Sequence, residues 1–341
     1  MNKSRIVVVY DEPIESCNKK WVHEGLEKKF YQVEVIGLQQ KLSFIEQQGI
    51  KGKISARIMI LKQAFQVKKV VTQDDIVFCW NQWFALFFQL VTRGSYKMIS
   101  YNWLTPNESK KTAWLYRHVL ENKNARIIIN SKENRTKILN QYGAKDLDNI
   151  FYIPDVYDNK ETFKKPKYDE ERFCFMGGRA NRDWDVFLQV AKSLPNMKFV
   201  GVAPKSDWDV ARQITDNVEM HFDIDAAQYY EYMDKSFLAL FPLKENRVSA
   251  LINIAQAIQR GKLVLVSDIP CTKLYFAEEQ KNLLLPLGDV SAMVREIECI
   301  CNLSVEEYEE KVVNHQEYLR KNFSPEMAIE KIEYLMNETY S

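Results

Sequence analysis

Short apolar runs alternate along the chain with longer stretches in which apolar residues recur every three or four positions. The runs read as strands buried on both faces, and the periodic stretches as amphipathic helices. In the first half, strands are predicted at Arg5–Tyr10, Val33–Gly37, Ile76–Trp80, Lys97–Tyr101, Arg126–Asn130 and Ile150–Ile153. Helices fall between them at Cys17–Phe30, Ile54–Val71, Phe84–Thr92, Glu108–Glu121 and Lys132–Tyr142. Residues Pro154 to Glu171 break the pattern with a polar stretch centred on Lys164-Lys165-Pro166-Lys167, which suits an interdomain linker. Strands then resume at Arg172–Met176, Lys198–Val202, Val218–His221, Phe237–Phe241, Leu263–Val266 and Asn282–Leu285. The matching helices are Asp183–Leu194, Asp207–Ile214, Ala226–Met233, Ala250–Arg260 and Val290–Cys301, followed by Val305–Asn322 and Pro325–Asn337. Such alternation predicts an α/β protein of two doubly wound, Rossmann-like domains, each a parallel sheet covered by helices. Facing each other across a cleft, they would hold a ligand against strand C-termini from both sides.

Length and composition fit this picture, since 341 residues suffice for two separate cores. No run approaches the ~20 apolar residues of a membrane span. The apolar run after the N-terminus, Ile6 to Tyr10, is stopped by Asp11-Glu12-Pro13, so no signal peptide is expected. None of the 6 cysteines forms a Cys-x-x-Cys pair, which points to reduced thiols in a cytoplasmic protein. The net charge of +1 conceals an asymmetry: residues 1–165 carry 27 Lys and Arg against 17 Asp and Glu, and the remainder 20 against 29. A basic half suggests an anionic surface or ligand at that end. Within it, Ile50–Val71 holds Lys51, Lys53, Arg57, Lys62, Lys68 and Lys69 and no acidic residue, with Ile54, Ile58, Leu61, Ala64 and Phe65 at helical spacing. Two readings stay open there, a core-packed helix with a solvated basic face and a helix lying on anionic lipid headgroups. Nucleic-acid binding fits poorly, because the second half is strongly acidic and no recognition module is visible.

The richest segment for chemistry is Phe237–Ser267, which reads as strand, polar loop, helix and strand. A strand end feeding a helix N-terminus is where open α/β sheets receive phosphorylated ligands. Its loop supplies Lys244, Glu245, Asn246, Arg247 and Ser249, groups suited to a charged, hydroxyl-bearing ligand. The second domain opens on a strand ending in Gly177-Gly178-Arg179, followed by Ala180-Asn181-Arg182-Asp183-Trp184. Paired glycines permit close backbone approach, and Arg179 and Arg182 could clamp a diphosphate bidentately. The plainer reading is a βα turn with solvated arginines. Asp223-Ile224-Asp225 has the spacing of a metal motif but precedes a helix and reads better as a cap. No metal and no cofactor are expected.

Phe-Met-Gly-Gly-Arg, then Arg-Asp-Trp opening a helix, resembles the start of the nucleotide-binding domain of GT-B glycosyltransferases. The Tyr229-Tyr230-Glu231-Tyr232 helix, the Phe237–Ser267 unit with Ala257, Gly261 and Lys262, and Leu287-Gly288-Asp289 agree with it. In the first half, Ala125–Ser131 and Ile153-Pro154-Asp155-Val156-Tyr157 resemble the end of the acceptor domain. The similarity covers most of the chain, clearly in the second half and diffusely in the first. It implies an acceptor domain at 1–160, a nucleotide-sugar domain at 161–322, and a C-terminal helix within 323–341 packing back on the first. It implies a metal-independent hexosyltransferase, of the kind that builds bacterial capsule, exopolysaccharide or glycoprotein glycans, using a nucleotide diphosphate sugar such as a UDP sugar. The donor would meet Gly178, Arg179, Arg182, Lys244, Asn246, Arg247, Ser249, Asn253 and Gln256. The commonest retaining members carry two glutamates on this helix, one near the transferred sugar and one on the ribose; those positions are here Val248 and Gln256. Glu245 is the nearest carboxylate to the first.

On the acceptor side, Asp11 and Glu12 follow the first strand, Trp80-Asn81 the third and Asn102-Trp103 the fourth. Asp11 could act as general base, or Asp11-Glu12-Pro13 could be only a turn. Asn81, Asn102 and Trp103 suit a sugar, with an apolar face and two-way hydrogen bonds. The expected acceptor is a glycan, a lipid-linked sugar or a glycoprotein at the inner membrane face, with an anionic membrane surface contacted through 50–71 and a homo-oligomer left open. Two rivals remain: a non-catalytic GT-B-like subunit that binds a glycan or glycoprotein for a partner enzyme, and a nucleotide-sugar epimerase.

Overall fold

A computed structural model describes residues 5–16, 21–29, 31–39, 49–101, 103, 113–142, 148–157, 162–167, 172–209, 211–246 and 249–340. The chain divides into two compact units, Met1–Asp155 with Pro325–Ser341, and Val156–Ser324. Unit 1 runs β1 (Ile6–Val9), α1 (Trp21–Lys28), β2 (Val33–Ile36), α2 (Gly49–Val70), β3 (Ile76–Cys79) and α3 (Gln82–Thr92). It continues with β4 (Lys97–Ser100), α4 (Ala113–Leu120), β5 (Ala125–Ile129), α5 (Lys132–Tyr142) and β6 (Ile150–Tyr152). Its strands form one parallel sheet in the order β2-β1-β3-β4-β5-β6. Central strands such as β1 (IVVV) and β3 (IVFC) are buried at every position, whereas the edge strand β2 is only half-buried. Unbroken runs of branched apolar residues are what a sheet covered on both faces requires.

Unit 2 runs β7 (Phe173–Gly177), α6 (Trp184–Ser193), β8 (Lys198–Ala203), β9 (Val218–Phe222), α7 (Ala226–Lys235), β10 (Leu238–Phe241) and α8 (Leu251–Gln259). Then come β11 (Leu263–Ser267), α9 (Pro270–Lys273), β12 (Leu284–Leu285), α10 (Val290–Cys301) and α11 (Val305–Asn322). Its sheet is also parallel, in the order β12-β11-β10-β7-β8-β9. Both units are doubly wound α/β folds, as the alternation predicts. The last helix, α12 (Pro325–Tyr340), lies with unit 1, where Gly25 of α1 lets Ile329 approach its backbone and Lys29 pairs with Glu333 at 3.3 Å.

Three expectations need correction. Among the described residues of 207–214 there is no α-helix: a single 3-10 turn at Lys205–Asp207 is followed by irregular chain at 208–209 and 211–214. Asp209 Oδ1 accepts from the Ala211 N–H at 2.9 Å, a local bond that competes with helix formation. Arg212 lies over Trp208 and pairs with Asp185 at 2.7 Å, so tertiary contacts fix this loop. The strand predicted from Asn282 starts only at Leu284, because Glu278–Leu283 is a 3-10 turn. The helix predicted from Ile54 starts instead at Gly49, through residues that lack apolar periodicity.

Candidate functional site

In unit 2 the strand order reverses between β7 and β10, and in open α/β sheets ligands bind outside the strand ends at such a point. A cavity of ≈ 210 Å³ lies at the C-terminal ends of β7, β8 and β9. Gly178 and Arg179 line it from the turn after β7, Ala203 and Pro204 from the end of β8, Asp223 and Ile224 from the link between β9 and α7, and Tyr229 and Tyr230 from α7 itself. Asp225 caps α7 by accepting from the Gln228 N–H at 2.8 Å, and Asp223 accepts from the Lys205 N–H at 3.2 Å. Both aspartates of the metal-like spacing thus have backbone work.

The glycines after β7 serve the protein's own side chains. A Cβ on Gly177 would collide with the Tyr229 ring, and one on Gly178 (φ 124°) with the Arg182 guanidinium. Arg182 is accordingly no solvated clamp. It is only 3% exposed and donates to the carbonyl oxygens of Gly177 (2.9 Å) and Ala180 (3.0 Å) and to Asn253 Oδ1 (2.8 Å). Burial pulls its pKa down to about 10, so the strut stays charged at neutral pH. Arg179 is exposed at the cavity. The expectation of two equivalent arginines therefore splits: Arg182 joins the turn to α8, and Arg179 borders the cavity.

Asn181, which the sequence reading passed over, is the hinge pin of the site. It sits at φ 60°, a left-handed conformation that asparagine tolerates better than most residues. Its Nδ2 donates to the Glu245 carbonyl (2.9 Å) and to Ser249 Oγ (3.0 Å), and its Oδ1 accepts from the Glu245 N–H at 3.2 Å. The turn after β7 is thereby tied to the loop after β10. On that loop Lys244, Glu245 and Asn246 are exposed and Ser249 is half-buried; Arg247 lies outside the described residues.

Helix α8 is preceded by Ala250, held at φ 67° and unable to cap the first-turn N–H groups with its methyl. A non-glycine residue in this region stores strain on the order of 1 kcal/mol. One turn in, Asn253 Nδ2 donates to Tyr229 Oη at 2.7 Å, and Gln256 Nε2 donates to Tyr230 Oη at 2.7 Å. Burial raises the Tyr229 phenol, which stays protonated. Arg260 lies over the Tyr230 ring at 4.2 Å and pairs with Asp234 at 2.6 Å. Asn253 and Gln256 are thus joined to the two tyrosines that line the cavity. Gly261 (φ 75°) passes close under the carbonyls of Lys164 and Lys165, and the buried Lys262 donates to the carbonyls of Asp234 (2.6 Å) and Ser236 (2.7 Å). These two residues hold the fold beside the site.

In unit 1 the order reverses between β1 and β3. Asn81 bridges that point: its Nδ2 donates to Asp11 Oδ2 at 2.9 Å, and its Oδ1 caps α3 by accepting from the Trp83 N–H at 2.7 Å. Trp80 stacks on Tyr101 with centroids 4.8 Å apart, Trp21 meets both edge-on, and Tyr10 Oη lies 3.0 Å from His23 Nδ1. Trp103 is fully buried against Tyr116 and is a core residue, not a surface for sugar; Asn102 lies outside the described residues. Asp155, after β6, accepts from Asn130 Nδ2 at 3.0 Å, yet burial pushes its carboxyl up to about 6. Burial also raises the Tyr101 phenol, and the Asp155 charge adds to the effect.

No protein-family model and no curated protein matches the sequence. Solved structures match nearly the whole chain. An E. coli trehalose-6-phosphate structure bound with UDP-2-fluoro glucose superposes with a TM-score of 0.71 at 11% identity, over 99% of this chain and 99% of that one. A glycosyltransferase from Rickettsia africae gives 0.68 at 13% identity over 99% of each chain. HepE from Anabaena, in complex with UDP and glucose, gives 0.66 at 13% identity over 98% of this chain and 100% of that one. The fold is that of the GT-B glycosyltransferases. At these identities the likeness speaks to the fold.

Proposed function

We propose that this chain is a metal-independent glycosyltransferase, moving a hexose from a nucleotide diphosphate sugar, UDP-linked, to a glycan, lipid-linked or glycoprotein hydroxyl in bacterial glycan assembly at the cytoplasmic side. The observation that carries the reading is the cavity at the ends of β7, β8 and β9, with Arg179 beside it and Tyr230, which accepts a hydrogen bond from Gln256, at its wall. Unit 2 holds the donor. Nucleoside fills the cavity, and Gln256, whose Nε2 is committed to Tyr230, offers its amide oxygen to a ribose hydroxyl. Arg179, the exposed Lys244 and the first-turn N–H groups of α8 face the diphosphate, where they neutralise charge as it departs.

In the transfer, the acceptor oxygen bonds to the anomeric carbon while the bond from that carbon to the β-phosphate oxygen breaks. The electron pair leaves on the diphosphate, and the acceptor proton goes to a base. Asp11 is that base in this proposal, its carboxylate oriented by Asn81. Glu245 serves the transferred sugar. The aromatic group of Trp80 and Tyr101 offers the acceptor an apolar face.

One observation favours a second reading, a non-catalytic subunit: the neutral Gln256 is already hydrogen-bonded within the protein. Purified protein incubated with a panel of nucleotide sugars, with and without acceptors, tests both. The transferase reading expects donor consumption that falls at least tenfold in Arg179→Ala. A silent subunit would consume no donor and give no heat with any nucleotide in calorimetry.

A further inference from the structure

Side chains leave an α-helix about 100° apart. Along α2, Ile60, Ala64 and Val67 turn inward and join the core with Val7, Val9 and Val77. A second apolar row, Ile54, Ile58, Leu61 and Phe65, follows the spacing i, i+4, i+7, i+11 and falls within roughly 60° of arc on the opposite side. Ile54 is 49% exposed, Ile58 47% and Phe65 50%. The helix therefore has two apolar faces, and only one belongs to the core. Solvated helices normally carry polar residues on the outer face.

Cations border the exposed row. Lys51, Lys62 and Lys69 project along one edge, all exposed. On the other edge Arg57 lies 4.3 Å over the Trp83 ring and Lys68 donates to the Val91 carbonyl at 2.8 Å, so both are joined to α3. No acidic residue stands between Ile50 and Val71. Among the described residues no helix is long and apolar enough to cross a membrane. A row of large apolar side chains edged with lysine is the pattern of a helix lying in a membrane interface.

We propose that the outer face of α2 docks unit 1 onto an anionic lipid surface, Ile54, Ile58 and Phe65 entering the headgroup region while Lys51, Lys62 and Lys69 meet lipid phosphates. Charge selects this occupant over a second copy of the chain. A two-fold contact through this row would bring Lys51, Lys62 and Lys69 of one α2 beside the same three of its partner, and like-charge juxtaposition is unfavourable. A lipid surface complements them, at about fivefold in affinity per cation. The inference stands independently of the sugar-transfer reading, because it concerns binding alone.

Flotation of the full chain with phosphatidylcholine vesicles, with and without phosphatidylglycerol, tests it. The wild type is expected to float with the anionic vesicles and to stay behind with phosphatidylcholine alone. Ile58→Glu with Phe65→Glu, and separately Lys51→Glu with Lys62→Glu and Lys69→Glu, should each reduce binding at least tenfold with unchanged thermal melting. Should the first variant misfold, the lysine variant and the weakening of wild-type binding by salt still decide the matter. Wild-type protein that ignores anionic vesicles, or charge-reversed protein that binds them equally well, overturns the proposal. So does a dimer in sedimentation velocity that the Ile58 and Phe65 changes dissociate, which would give this face to a second copy.

Discussion

The two sheets treat their reversal points differently. Where β1 and β3 part, unit 1 places Tyr10, Trp80 and Tyr101 against one another and ties Asp11 to Asn81. Where β7 and β10 part, unit 2 places glycine, arginine and asparagine, and a cavity opens alongside. One topological rule locates both places. What fills them differs: an aromatic wall with a carboxylate held by asparagine in one unit, and in the other a largely apolar hollow, lined by Val202, Ala203, Ile224 and two tyrosines and bordered by Arg179.

The contrast is sharpest within unit 2, between two arginines three positions apart. Arg182→Ala would leave the Gly177 and Ala180 carbonyls and Asn253 Oδ1 without their donor, so a loss of about 3 kcal/mol in urea denaturation is expected. Arg179→Ala removes an exposed side chain and should cost clearly less, at most about 1 kcal/mol. Equal costs would remove the distinction between the buried strut and the exposed arginine at the cavity.

Acid should separate the units as well. In unit 2, His315 is buried with Nε2 3.1 Å from the Tyr275 carbonyl, and burial holds its pKa down to about 4. The unfolded imidazole takes its proton near its ordinary 6.5 and the folded one only near 4, so the unfolded chain binds more protons in that window. Stability is full above pH 6.5 and falls toward pH 4, by at most on the order of 3 kcal/mol. His315→Gln should flatten that slope. In unit 1, the hydrogen bond from Arg5 holds Asp75 below its ordinary 3.8, so its contribution is present above that value and lost only in stronger acid. Circular dichroism against pH would check the order, unit 2 weakening first.

Two smaller effects refine the comparison. Trp80→Ala should cost about 2 kcal/mol through the lost Tyr101 stack, raise the acceptor KM and leave UDP affinity unchanged. Ala250→Gly should relieve the left-handed backbone at α8 and stabilise by up to about 1 kcal/mol in thermal melts.

Much of the scaffold was legible in the sequence, because parallel strands buried on both faces are unbroken apolar runs. Val290–Cys301 and Val305–Asn322 fold over the predicted spans, each with its capping residue, Asp289 or Ser304, just before. Residues 207–214 misled because Trp208 and Arg212 answer to Trp184 and Asp185, far away in the chain. At the site, Gly-Gly-Arg marked the right turn, yet the inward fork of Arg182 depends on carbonyls no sequence displays. Asn181 gave one signal, a residue tolerant of left-handed backbone beside two glycines. The two apolar faces of α2 explain why its periodicity supported two readings: core and surface rows were superposed in one helix.

Calorimetric titration of UDP into wild-type protein and Arg179→Ala tests the central claim most directly. A single site is expected, with affinity at least tenfold weaker in the variant and melting unchanged. No heat from UDP or any other nucleoside diphosphate, or equal affinity in the two proteins, would contradict the assignment of the unit 2 cavity to a nucleotide-sugar donor.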